Sequence, residues 1–144
     1  MISKVAIASD HAGYNLKEYI VNNLDDKVVV SDFGTNSNES CDFPDFASKV
    51  CEFVLENKNT RGILICGSGV GMSIAANKFA GIRAANVTDE LTAVQSVEHN
   101  NVNILSLGSN NVSNELALNI ISAFLDSTFS EEERYQRRVN KFAN

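Results

Sequence analysis

Tryptophan is absent, and proline occurs once, at Pro44. So little proline excludes a proline-rich linker or recognition tract and leaves long stretches free for helix and strand. Cysteine is scarce too: Cys41, Cys51 and Cys66 are an odd number with no Cys-x-x-Cys pair. That pattern supports neither a disulfide framework nor a zinc site. At least one thiol stays without an internal partner, which suits a reducing compartment. Basic residues are in deficit, 12 against 18 acidic ones, for a net charge of −6. A duplex nucleic-acid binder needs a basic face, so no nucleic-acid partner is expected. No apolar run approaches the ~18–20 residues of a membrane helix. The start, MISKVAIASD, holds one lysine and a short VAIA run, too little for a secretion signal. A cytoplasmic chain without a membrane partner is expected.

What is present is ordinary for a soluble globular protein: 144 residues, 44% hydrophobic and 21% charged. At roughly 100–200 residues per domain, residues 1–144 form one domain. A chain of this size can build its core without disulfide or metal.

Short apolar runs alternate with amphipathic stretches. Val5–Ala8 reads as a buried strand, followed by a helix on Ala12, Leu16, Ile20 and Leu24. Val28–Phe33 is a second strand, residues 34–45 a polar loop, and Phe46, Val50 and Val54 mark a second helix. Ile63–Cys66 is the clearest strand, with a helix over Met72–Phe79. Ile82–Val87 and Asn103–Leu107 are further strands, and Thr88 or Asp89 caps the helix between them, which runs to about Glu98. Leu116, Ile120 and Phe124 give another helix, and Ser130–Glu133 matches a capping box for a C-terminal one. Such alternation implies βαβ units and a five-stranded parallel sheet in a three-layer αβα, doubly wound (Rossmann-like) fold. Ligands in these folds sit at the carboxyl ends of the strands. Asp10-His11, Cys66 with its glycines, and Val87–Asp89 fall at those ends.

The strongest local signal is Cys66-Gly67-Ser68-Gly69-Val70-Gly71, between a strand and a helix. Alternating glycines let backbone amides converge on an anion, although a tight strand-to-helix turn would use the same residues. GSGVGM is neither GxGxxG nor a P-loop, and a cysteine-phosphatase loop would need arginine where Met72 stands. Cys66 is either a thiolate favoured by loop amides or a buried, inert thiol. Cys51 reads as core and Cys41 as a loop thiol. Asp10 could cap a helix, and His99 could stabilise a helix C-terminus. Both histidines nevertheless lie beside expected ligand-side ends. Arg134 and Arg138 stand one turn apart and could grip one phosphate, while Glu133 and Arg137 could form an i,i+4 pair. Tyr135, Val139 and Phe142 would dock that helix.

Asp10-His11-Ala12-Gly13, Gly34-Thr35, Asp42-Phe43-Pro44, the stretch ICGSGVGMSIAANKFAGIRAA (residues 65–85), His99-Asn100-Asn101, Leu107-Gly108-Ser109 and Arg134–Arg138 occur in order. Over essentially its whole length the chain resembles the ribose/galactose isomerase family, which includes the type B ribose-5-phosphate isomerases. The resemblance implies a cofactor-free, metal-free isomerase interconverting ribose 5-phosphate and ribulose 5-phosphate through an enediolate, a step of the non-oxidative pentose phosphate branch. It implies that Cys66 is the base and that Ser68 assists at the oxygens. It further implies an anion hole of Gly67, Gly69, Val70 and Gly71 amides, and ring opening by Asp10 and His99. His11, Arg134 and Arg138 would bind phosphate, and Asn100 a sugar oxygen. Family members are homodimers, some tetramers, with Asp10 and Cys66 from one subunit and His99 from the other. The chain departs from many members at Phe43 and Asn110, where they carry tyrosine and arginine. Met72 stands where one branch has a catalytic glutamate. The rival readings are an isomerase of a six-carbon sugar phosphate, a nucleotide-binding module without catalysis, and a thiol redox protein.

Overall fold

The apolar runs become strands and the amphipathic stretches become helices. In a computed structural model describing residues 1–143, the strands are β1 (Lys4–Ser9), β2 (Val29–Asp32), β3 (Thr60–Cys66), β4 (Ala84–Asn86) and β5 (Ile104–Gly108). All pair in parallel, in the order β2-β1-β3-β5-β4. The helices are α1 (Tyr14–Asn23), α2 (Phe43–Glu56), α3 (Val70–Ala76), α4 (Glu90–Asn100), α5 (Asn114–Asp126) and α6 (Glu133–Val139).

Alternation along each strand splits the core into two layers. Val5, Ile7, Ile63, Ile65, Leu105 and Leu107 pack with Leu16 and Ile20 of α1, Ala93 and Val97 of α4, and Ile120 of α5. Ala6, Ala8, Leu64, Cys66 and Ile104 pack with Val50 and Val54 of α2 and Met72 and Ala76 of α3. The inner strands are thus buried on both faces, as their unbroken apolar runs required. Gly62 lets α2 sit close to β3, because a Cβ there would lie 2.7 Å from a methyl of Val50.

Three expectations need correction. Pro44 does not belong to the loop: α2 begins at Phe43, and the proline occupies its first turn, where no amide is needed. β4 is only three residues long, at a sheet edge. The capping box before α6 does not form. Ser130 Oγ accepts the Glu132 amide at 3.1 Å, and Glu132 is the N-cap without a side-chain bond. The cap of α4 is as expected, with Asp89 accepting the Thr92 amide at 2.7 Å. Among the described residues no helix is long and apolar enough to cross a membrane.

Candidate active site

β1, β3 and β5 end together, since Ser9 pairs with Ile65 and Cys66 with Gly108. The next residue after Ser9 is Asp10, so the register carries Asp10 to the side of Cys66. Asp10 is 7% exposed, and one carboxylate oxygen accepts the Gly13 amide at 3.1 Å. This bond shapes the entry to α1, as a capping role required, and commits only one of the two oxygens. Gly13 itself lies against β3, where a Cβ would come within 2.6 Å of the Ile65 carbonyl.

The Cys66 thiol is buried on the α2/α3 side of the sheet and accepts the Gly69 amide at 3.2 Å. At Cys51, burial, with Glu52 adding to it, pushes the thiol up to about 12. Cys51 is therefore core, as expected. Cys41 has a neighbour the sequence did not suggest. Its amide donates to His11 Nδ1 at 3.2 Å, and its sulfur lies 3.9 Å from the same nitrogen. With Nδ1 accepting, the neutral ring carries its proton on Nε2. None of the three cysteines is disulfide-bonded.

The glycine loop is held from several sides. Gly69 has a φ of 80°, a conformation that favours glycine. Gly71 leaves space for the Phe43 ring, which a Cβ would approach to 2.7 Å. The Ser109 amide bonds the Cys66 carbonyl at 2.9 Å and the Asn110 amide bonds that of Gly67 at 3.0 Å. Ser68 is exposed, and its hydroxyl accepts the Val70 amide at 3.2 Å. Cys66, Asp10, His11, Ser68, Gly67, Gly69, Val70 and Gly71 therefore stand at one edge of the sheet.

His99 and Asn100 do not join them within one chain. A helix following a parallel strand runs back along the sheet, so α4 starts at the carboxyl edge and ends at the amino edge. Its 11 residues place that end roughly 16 Å lower. The expectation that both histidines flank ligand-side ends is corrected accordingly. At the amino edge His99 stacks on Tyr135, with ring centroids 4.4 Å apart and planes at 6°. The guanidinium groups of Arg134 and Arg138 lie 4.6 and 5.9 Å from the centre of the Tyr135 ring. Arg134 also pairs with Glu132 at 2.9 Å, and Arg137 with Glu133 at 2.6 Å. Tyr135 thus docks α6, whereas Phe142 is 45% exposed. An open cleft of about 860 Å³ runs between these segments, lined among others by Asn77, Arg83, Thr92, His99, Asn100 and Phe142. Val70, Ile74 and Leu91 expose 52%, 58% and 65% of their surface.

Sequence reasoning missed Lys17. Its ammonium is fully buried and bonds Asp32 at 2.7 Å and Glu18 at 2.9 Å. Burial alone would lower its pKa, but the bonds to Asp32 and Glu18 outweigh burial and raise it. Asp32 in turn accepts the Gly34 amide at 2.9 Å. The Gly34 carbonyl accepts from Ser9 at 2.7 Å, and the Thr35 amide donates to Ser9 at 2.9 Å. The buried cation therefore anchors the strand end that carries Asp10.

Comparison with known proteins is consistent along the chain. Residues 5–142 match the Ribose/Galactose Isomerase family model. Ribose-5-phosphate isomerase B of Escherichia coli (strain K12) is 46% identical over 139 residues, which cover 96% of this chain and 93% of that protein. The ribose-5-phosphate isomerase B structure from Clostridium thermocellum is 50% identical, with a TM-score of 0.90, covering 96% of this chain and 93% of the other. That from Thermotoga maritima is 46% identical, with a TM-score of 0.93, covering 98% and 97%.

Proposed function

The chain belongs to the ribose/galactose isomerase family, and from that premise we propose that it interconverts D-ribose 5-phosphate and D-ribulose 5-phosphate by proton transfer. The observation that carries the chemistry is Cys66 Sγ, held by the Gly69 amide at 3.2 Å beside Asp10. In the aldose-to-ketose direction the Cys66 thiolate takes the proton from C2. The electron pair moves into an enediolate, and the thiol returns the proton to C1. The loop amides from Gly67 to Gly71 lie where negative charge develops on the sugar oxygens. Ser68 moves the proton between those oxygens. Asp10 and His99 open the furanose ring, His11 with Arg134 and Arg138 holds the phosphate, and Asn100 holds a sugar hydroxyl. Base, amides and cations supply each of these steps without a cofactor.

One chain supplies this site in two halves, one at each edge of its sheet. A homodimer with a two-fold axis brings one subunit's His99 and Asn100 to the other's Cys66. A two-fold interface uses the same patch twice. Val70, Ile74 and Leu91, all exposed and apolar, suit that patch. The uninterrupted sheet supports reading residues 1–144 as one catalytic domain. The free cysteines suit a cytoplasmic setting. The six-carbon reading is not favoured, since the relatives reported above bear the five-carbon name. The test is formation of ribulose 5-phosphate from ribose 5-phosphate by purified, EDTA-treated protein. Turnover is expected. Its absence in a folded preparation, with turnover of allose or galactose 6-phosphate, would overturn the five-carbon assignment.

A further inference from the structure

Three polar side chains outside the groups described above grip the glycine loop from behind. The Ser68 carbonyl accepts Asn86 Nδ2 at 3.2 Å and Asn111 Nδ2 at 3.3 Å. The Gly69 carbonyl accepts Ser106 Oγ at 2.6 Å. Ser106 is fully buried in β5, Asn86 ends β4, and Asn111 lies just beyond β5. The fit is close: a Cβ on Gly69 would lie 2.4 Å from Asn86 Oδ1, and one on Gly108 2.5 Å from the Ser68 carbonyl carbon.

A trans peptide is planar, and its C=O and N–H point in opposite directions. The Ser68–Gly69 and Gly69–Val70 peptides are both trans, because Gly34–Thr35 is the cis bond among the described residues. Holding the Ser68 carbonyl towards Asn86 and Asn111 turns the Gly69 amide the other way, onto Cys66 Sγ at 3.2 Å. Holding the Gly69 carbonyl towards Ser106 turns the Val70 amide onto Ser68 Oγ at 3.2 Å. Each gripped peptide thus presents its N–H to one of the two side chains that move protons.

We propose that Asn86, Asn111 and Ser106 are positioning residues that aim the amides solvating Cys66 and Ser68. This rests on the reading of Cys66 as base. Ser73 also donates to the Gly69 carbonyl, at 3.2 Å, so Ser106 shares its grip whereas the asparagines grip the Ser68 carbonyl themselves.

The experiment measures kcat, KM, inhibition by inorganic phosphate and thermal midpoint for five proteins. These are wild type, the double variant Asn86→Ala/Asn111→Ala, Ser106→Ala, Ser106→Thr and Cys66→Ala. Alanine removes both donors without adding charge, and both sites are exposed, so the fold is retained. The double variant should lower kcat about tenfold, the scale of one hydrogen bond made in the transition state. Ser106→Ala should lower it a few-fold, with the hydroxyl of Ser106→Thr restoring it. KM and phosphate inhibition should stay within about twofold of wild type. Wild-type kcat in both donor-lacking variants, with Cys66→Ala inactive, would overturn this inference alone. So would a fall in activity carried by KM or by the thermal midpoint. Turnover by Cys66→Ala would instead overturn the base assignment beneath it.

Discussion

The two edges of the sheet are built differently. At the carboxyl edge most polar groups already have internal partners: Asp10 on Gly13, Cys66 on Gly69, Ser68 on Val70, His11 on Cys41. The groups proposed to move protons are held before substrate arrives, which is what electrostatic preorganisation requires. At the amino edge α6 has no buried residue and rests through Tyr135 on His99. Its arginines are exposed: Arg134 pairs with Glu132 and Arg137 with Glu133, and Arg134 and Arg138 lie over the Tyr135 ring. One edge is complete in its own chain, and the other is a set of reaching groups whose geometry a neighbouring subunit would finish. On the proposed roles, the base and its amides belong to the internally bonded, rigid half and the two arginines to the loose half, while His11 and His99 each serve the other half's task.

The sharpest test of that division is at the rigid half. Cys66→Ala should lower kcat by about a thousandfold or more, the scale of a lost general base. The sheet should survive, because alanine fits where the buried sulfur packed, and circular dichroism with the thermal midpoint checks this. Turnover near wild type would break the comparison at its root.

Mixing subunits sharpens it further. Cys66→Ala and His99→Ala homodimers should each be inactive or nearly so. After subunit exchange, about half the dimers are hybrids, each with one intact site of two, so activity should recover to about a quarter of wild type. No recovery, with exchange verified by mass, would show that His99 does not complete the neighbour's site.

Lys17 probes how the rigid edge is held. Lys17→Met should destabilise the protein by about 2 kcal/mol, below the full penalty for an unpaired buried charge because Asp32 and Glu18 are partly solvated. The pH dependence has a definite sign. The folded pKa of Lys17 is raised above the ordinary 10.5, so its contribution is complete below that pH and is lost as pH rises through the folded value. The gap in thermal midpoint between wild type and variant should be flat from neutral pH to about 10 and shrink above it. A gap that shrinks on acidification to pH 6 would contradict the ion pair as its source.

These residues also mark what a sequence can reveal. Strands and helices were legible because burial on one or two faces imposes a period, and the glycine loop because no side chain fits Gly69 or Gly71. Pro44 misled because proline both ends loops and opens helices. His99 sits at a helix end that the sequence alone assigns to neither edge, and only the return path of α4 shows which one it reaches. Lys17 lies between Leu16 and Glu18 with no local sign of burial. Its partner Asp32 lies fifteen residues away. Asn86 and Asn111 look like loop polarity until the Ser68 carbonyl is placed between them.

The smallest effect tests the loose edge. Arg134 and Arg138 lie over the Tyr135 ring that carries His99, whereas Arg137 is tied to Glu133 in an exposed i,i+4 pair, with side chains 50% and 76% exposed. Such pairs contribute about 0.3 kcal/mol, so Arg137→Ala should shift the thermal midpoint by little more than measurement error. KM should also stay within about twofold, while Arg134→Ala and Arg138→Ala each raise it about tenfold, as loss of a charged phosphate contact does. If Arg137→Ala raised KM as much as Arg138→Ala, the phosphate would be met by the whole basic turn rather than by the tyrosine-backed pair. The separate assignment of Arg134 and Arg138 as the phosphate-binding pair, with Arg137 held aside by Glu133, would then fail.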